Sequence, residues 1–313
     1  MSDEIAIAPE PKPPSLGRRI LFFPLTLMLI AIAVFAVGSA IGIVLVQQVP
    51  KEARTPWPLA NAAIIILCLL ALFWPFVRWI DPSAAELFER RAWAKELLAG
   101  LGGGVAIFGT VVGVSAAIGT YHVTGGSGLE TIYAPLAGQA LIPGFTEELL
   151  FRGILFRYIE KAGGSWIALA ITSALFGAAH IANPGATWFS SLAIAIEAGI
   201  LLGAVYMLTR RLWAAMGLHA GWNFTQGWIF GLPVSGGHGG TGLMNGSLSG
   251  PELMTGGAFG LEASLPGLVV ATAAGLAILV VAVRRGRVVP PMWVRARAPA
   301  DASLAEPPHT SPM

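Results

Sequence analysis

Long apolar runs separated by short polar connections set the pattern of this chain. Crossing a hydrocarbon core takes ~20 apolar residues. Eight segments approach or exceed that length: about 20–46, 58–80, 97–121, 131–158, 166–180, 186–208, 212–230 and 265–283. The stretch 83–96 is polar, with Leu87, Phe88, Ala94 and Leu98 roughly on one helical face, which suits an interfacial helix or a plain cytosolic connector. The third run is rich in glycine, which favours close helix contacts. The turn 125–128 and the long Gly/Ser/Thr stretch 231–260 read as loops. The fold class predicted is an all-α polytopic membrane protein, with about eight transmembrane helices enclosing an intramembrane polar site.

Composition agrees. Charged residues make up 12% and hydrophobic residues 55% of 313 positions, whereas a soluble domain is typically about 25% charged. Mean hydropathy is +0.71. The single cysteine, Cys68, excludes a disulfide framework or a thiolate metal site. The first apolar run is too long for the hydrophobic region of a cleavable signal peptide, so none is expected.

Placement of Lys and Arg sets the orientation. Arg78, Arg90, Arg91 and Lys95 follow the second run. Arg157 and Lys161 lie around the end of the fourth, and Arg210 and Arg211 follow the sixth. Arg284, Arg285, Arg287, Arg295 and Arg297 follow the eighth. The alternate connections hold only Lys51 and Arg54. Eight spans with both termini cytoplasmic satisfy this pattern at every turn.

Four charged side chains fall inside predicted spans: Glu147, Glu148, Arg152 and Glu197, joined by His180, His219 and Asn223. Each charge at the bilayer centre costs about 2.5–3.5 kcal/mol or more. Residues four apart share a helix face, so Glu148 reaches Arg152, Phe176 precedes His180 by one turn, and His219 precedes Asn223. Glu147 points about 100° away from Glu148 and is left to find partners on other helices, the histidines first. Pro143-Gly144 should loosen the fourth helix.

A carboxylate beside an imidazole can bind a water and take its proton. A second His and an Asn amide can donate to the oxyanion that develops. Blander readings exist for each residue. Arg152 would serve as a topology anchor, and the Glu148–Arg152 pair as structure. Glu197 would be a buried hydrogen-bonded or protonated side chain, and His180 an interfacial histidine. Asn223 and Gln226 would be ordinary interhelical hydrogen-bonding residues. His122, His238 and His309 are given no role. What favours chemistry is that three separate helices each carry catalytic-type residues.

The pattern Glu147-Glu148-x-x-x-Arg152, Phe176-x-x-x-His180, His219-x-x-x-Asn223 resembles the three motifs of the CPBP intramembrane proteases, also called the Abi or type II CAAX prenyl endopeptidase family. Gly203 to Tyr206, Leu212-Trp213 and Gly217-Leu218-His219 look like its bacterial branch. The resemblance covers about 133–231. It implies that Glu147 and His180 activate the attacking water, that His219 and Asn223 form the oxyanion hole, and that Glu148 and Arg152 support the site. Members have been described both as metalloproteases and as glutamate-dependent hydrolases. The expectation is no cofactor, with zinc on Glu147, His180 and His219 as the alternative, although no HExxH is present.

The organisation expected is a disordered tail 1–19, N-terminal transmembrane helices and interfacial segment 20–130, and a protease-like core 131–231. A Gly-rich loop 232–262, a last transmembrane helix 263–283 and a disordered tail 284–313 follow. The function implied is an endopeptidase in the bacterial cytoplasmic membrane, hydrolysing a peptide bond of a membrane-associated protein or peptide, with the bilayer as its other partner and no nucleic acid. The alternatives are a non-catalytic scaffold or bacteriocin-immunity factor that keeps the motif, and a proton-coupled transporter.

Overall fold

The computed structural model describes residues 15–54 and 56–295. Of the expected tails 1–19 and 284–313, residues 1–14 and 296–313, with His309, lie outside the described residues. Eight long helices carry the fold: α1 (Pro24–Gln48), α2 (Pro58–Ile80), α3 (Trp93–Ala117), α4 (133–163), α5 (Ser165–Ala179), α6 (Trp188–Thr209), α7 (213–229) and α8 (Leu265–Arg284). Their starts follow from local chemistry. Pro24, Pro58 and Pro266 sit in first turns, where a missing N–H costs nothing. Thr187 and Ser190 form a reciprocal cap on α6.

Six of these helices are long and apolar enough to cross a membrane: α1, α2, α3, α5 (extended to Ala182), α6 and α8. The fourth and seventh runs are helical, yet they fall outside that set. α4 carries Glu147, Glu148 and Arg152 and is wound as alternating α and π turns. α7 has 12 α-helical residues and a 5-residue π turn. Both are packed by protein: α7 lies along α3, against α4 and α6. Leu149, Ile154, Ala215 and Leu218 are buried. Leu29, Leu67, Trp79, Leu98 and Val269 on the outer helices are exposed, as lipid-facing positions would be.

Three expectations are corrected. No single interfacial helix spans 83–96: Pro82–Phe88 is a 3-10 helix, Ala92 takes φ +60°, and α3 starts at Trp93. Leu87 is buried beneath α4 and α7 while Leu98 faces outward, so the proposed common face is divided. The helical fold also contains a two-stranded antiparallel sheet, β1 (Tyr121–Gly125) with β2 (Asn245–Leu248), pairing Tyr121 with Leu248. The connection 231–260 is therefore a folded cover rather than a plain loop. Finally, the ends are more ordered than expected: Leu16–Leu21 is helical, and Val289 exchanges hydrogen bonds with Ser165 (2.8 and 2.9 Å).

Two apolar clusters divide the interior. One joins α1, α2 and α4 through Phe73, Phe76, Leu149 and Phe156. The other, with Phe108, Phe151, Phe176, Leu202 and Trp222, surrounds the polar residues.

Candidate active site

The two carboxylates enter from one turn of α4, between two π-wound stretches, 136–141 and 149–156. Such turns are rare and cluster where a helix must re-aim a side chain. Gly144 lets this turn lie against α7. A Cβ there would stand 3.2 Å from Ala220 Cβ and 3.3 Å from Met216 O.

Glu148 is fully buried, and its Oε1 accepts from Arg152 Nη1 at 2.9 Å. Arg152 Nη2 donates to Ala198 O at 3.1 Å, and its guanidinium lies 4.6 Å from the Phe176 ring centre. The pair expected from the i,i+4 spacing is present, but it is not self-contained. His219 Nδ1 lies 2.8 Å from the same Glu148 oxygen. A carboxylate is an acceptor only, so Nδ1 carries the proton and Nε2 is turned away from it. Glu148 thus orients the α7 histidine.

His180 closes α5, with Nδ1 2.7 Å from the Phe176 carbonyl oxygen. A carbonyl only accepts, so Nδ1 again donates and Nε2 holds the lone pair of the neutral ring. Phe176 separates the two imidazoles, with centroids 4.8 Å from His180 and 6.2 Å from His219.

Glu147 approaches the other nitrogen of the His219 ring, and its side chain is 32% exposed where that of Glu148 is fully buried. Its Oε2 lies 4.0 Å from His219 Nε2 and has no hydrogen-bond partner among the described residues. Asn223 Nδ2 donates to Gln139 O at 2.8 Å. Residue 143 is proline and brings no N–H to the π-wound stretch behind it, where Ile142 N reaches Ala137 O, so the carbonyls there have one donor fewer. Gln139 O is thereby free to hold the Asn223 amide, whose second N–H remains.

Glu147, His180, His219 and Asn223 all line one open cleft of about 510 Å³. The rest of its wall includes Gln139, Asn183, Ser235 and His238. Neither Gln139 nor Asn183 stands out in the sequence, and Ser235 and His238 fall in the stretch 231–260 that reads as loop. It is pinned over the cleft. Asn183 Nδ2 donates to Ser235 O (3.0 Å), and Ser235 N donates to Glu262 Oε1 (2.5 Å). Glu262 Oε2 accepts from Gln226 Nε2, while Gln226 Oε1 accepts from Trp222 Nε1 at 3.1 Å. Burial pushes the Glu262 carboxyl up to about 7, against the hydrogen bonds from Ser235 and Gln226. His122 instead pairs with Ser249 at 2.9 Å, beside the sheet.

Among the described residues no three His, Cys, Asp or Glu side chains form a set able to hold a metal ion. Both Nδ1 atoms are committed to Phe176 O and Glu148. Such partners on Nδ1 leave each Nε2 free, and Glu147, His180 and His219 do not form such a group in this structure.

Residues 129–225 match the family model described as Type II CAAX prenyl endopeptidase Rce1-like. That range covers α4 to most of α7 and includes every motif residue. No curated protein and no solved structure matches the chain. The match agrees with the family that the three motifs resemble.

Proposed function

We propose that this chain, built around an Rce1-like domain, is an intramembrane endopeptidase that hydrolyses a peptide bond of a membrane-associated protein or peptide. One observation carries the reading: Glu147, His180, His219 and Asn223, from three helices, line the same cleft. The Glu147 side chain, partly exposed in the cleft with Oε2 4.0 Å from His219 Nε2, binds the attacking water there at about 2.8 Å. Glu147, with His180 Nε2 as the second basic group, takes a proton from that water as its oxygen bonds to the carbonyl carbon. Asn223 Nδ2 donates to the oxyanion. His219 joins it when Nε2 carries a proton, with Glu148 balancing the charge. As the C–N bond breaks, the proton held by Glu147 passes to the leaving nitrogen.

The reaction is metal-free in this reading, so a chelator leaves the rate unchanged. Eight spans, both termini cytoplasmic and residence in a bacterial cytoplasmic membrane complete the proposal, supported by the Lys/Arg distribution. The test is cleavage of membrane-anchored reporter peptides by purified protein in vesicles. Glu147→Ala and His180→Ala should each abolish cleavage in folded protein. Unchanged cleavage in both would overturn these roles, and no cleavage by the wild-type protein would leave a scaffold that merely keeps the motif.

A further inference from the structure

The cleft that holds Glu147 has a direction. From Glu147 its wall follows α4 back to Gly138 and continues into two connections, at Asn183-Pro184 and at 234–238. These lie at one end of the bundle, tied by the bond from Asn183 Nδ2 to Ser235 O at 3.0 Å. The sheet brings the end of α3 to the same level, since β1 pairs with β2 inside the cover. Trp188, four residues past Pro184, is 85% exposed, as a tryptophan at the membrane–water interface would be. The mouth of the cleft therefore stands at the bilayer surface.

The other end of the bundle is closed. Its connections are tied to one another: Lys161 Nζ lies 3.1 Å from Asp81 Oδ2, Leu212 N donates to Leu87 O at 3.1 Å, and Val289 N donates to Ser165 Oγ at 2.8 Å. None of these residues lines the cleft. Between them and the site, Leu149, Phe156 and Leu212 are 0% exposed, and Glu148, Arg152 and Glu197 at most 2%. The closed end is also the basic one. Of the Lys and Arg in the connections, the end with the cover holds only Lys51 and Arg54. Positive charge stays on the cytoplasmic side, so the mouth points away from the cytoplasm.

We propose that the cleft opens on the outer face of the cytoplasmic membrane, and that the substrate is an extended, membrane-anchored segment of an exported protein or peptide. The substrate class rests on the endopeptidase reading, whereas the direction of the opening does not. Gly138 to Glu147 is nine residues of helix, roughly 14 Å at about 1.5 Å per residue. An extended chain rises about 3.3 Å per residue, so about four residues reach from the mouth to Glu147. A folded outer domain must therefore stand at least that far from the bond that is cut.

The direction is read in intact cells making the full chain with Cys68→Ala. A charged maleimide is offered to His238→Cys, at the cleft wall, and to Ala85→Cys, in the opposite connection, both at exposed positions. His238→Cys should react about tenfold or more faster, because a charged reagent does not cross the hydrocarbon core. Permeabilised cells should label both. Equal labelling in intact cells, or faster labelling of Ala85→Cys, overturns the proposal. Should His238→Cys not accumulate, Thr241→Cys, also exposed in the cover, is read in its place.

The substrate side is read with a single-span reporter that carries a randomised segment either outside or inside its anchor. Wild-type protein should cut the outer form about tenfold or more faster, since an unpaired backbone does not enter through hydrocarbon. Equal cleavage, or preference for the inner form, overturns the proposal. Outside labelling of His238→Cys with neither form cut keeps the direction of the cleft and removes the endopeptidase reading, so the two failures differ.

Discussion

His219 and Glu148 meet across two helices, Nδ1 to Oε1 at 2.8 Å, on the oxygen that also receives Arg152 Nη1 at 2.9 Å. One buried carboxylate oxygen therefore fixes both the α7 imidazole and its own helix. Glu148→Gln retains the shape but loses the charge that sets the histidine tautomer. The expected result is a kcat lower by about 10²–10⁴-fold, the range seen when a histidine loses its orienting carboxylate. Glu148→Ala should in addition lose about 3–5 kcal/mol of stability, because Arg152 is left as an unpaired buried cation. Steady-state kinetics and thermal unfolding in detergent check the two separately.

Glu147 gives the opposite signature. Its Oε2 is buried without a hydrogen-bond partner among the described residues and lies 4.0 Å from His219 Nε2, so it contributes little to folding. Glu147→Gln should lower kcat by about 10²–10⁴-fold, as for loss of a general base, while the melting temperature stays level or rises. A large loss of stability would show that Glu147 is a structural residue.

Asn223 depends on Pro143 in a way that can be tested. Asn223→Ala should cost about 10²–10³-fold in kcat, the usual loss for one oxyanion donor. Pro143→Ala should cost less, about tenfold, by returning an N–H that competes for the carbonyls of the π-wound stretch. In that variant the kcat loss should accompany a straighter, more stable α4. Wild-type kcat for Pro143→Ala would sever the link between the proline and the amide.

These relationships show which parts of the protein were legible in the sequence. Six membrane-length helices were, because unbroken apolar runs admit few other readings. The motif spacing likewise gave Glu148 with Arg152 and left Glu147 outside that pair, near a histidine. The Glu148–His219 bond was not legible, since it depends on how α4 and α7 rotate against each other. Neither was the sheet: Tyr121 pairs with Leu248 across more than a hundred residues of chain, and β2 is only Asn-Gly-Ser-Leu, without alternation. Gln139 enters through its backbone carbonyl, which no side-chain pattern reports.

The rotation of α7 is in turn set by its contact with α3. A Cβ on Gly104 would overlap Leu218 O and stand 2.6 Å from Trp222 N. Leu218 and Trp222 flank His219 and Asn223 on the same helix. Gly104→Val should therefore displace α7 and lower cleavage by tenfold or more, on the order of the loss from a 1 Å misplacement, with membrane insertion intact. Full activity in Gly104→Val would mean that α7 is positioned from its α4 side alone.

The cover over the cleft should respond to pH through Glu262, whose carboxyl is pushed up to about 7 by burial from an ordinary value of 4.5. The folded state then binds more protons than the unfolded one between these values. Stability contributed by this group is full below 4.5, falls as pH rises through the window, and is lost above about 7. Because Ser235 N donates to Glu262 Oε1 at 2.5 Å, the segment 233–238 feels the change first. Glu197, His180 and His219 face the same cavity as Glu262, so their contribution must be subtracted, and Glu262→Gln does this. Hydrogen exchange of the Ser235 amide should quicken by up to about 100-fold between pH 5 and pH 8, beyond the intrinsic base-catalysed increase. In Glu262→Gln that excess should vanish, with exchange at pH 5 close to wild type. An excess that persists in the variant would move the sensor to the histidines, and with it the control of access to the cleft.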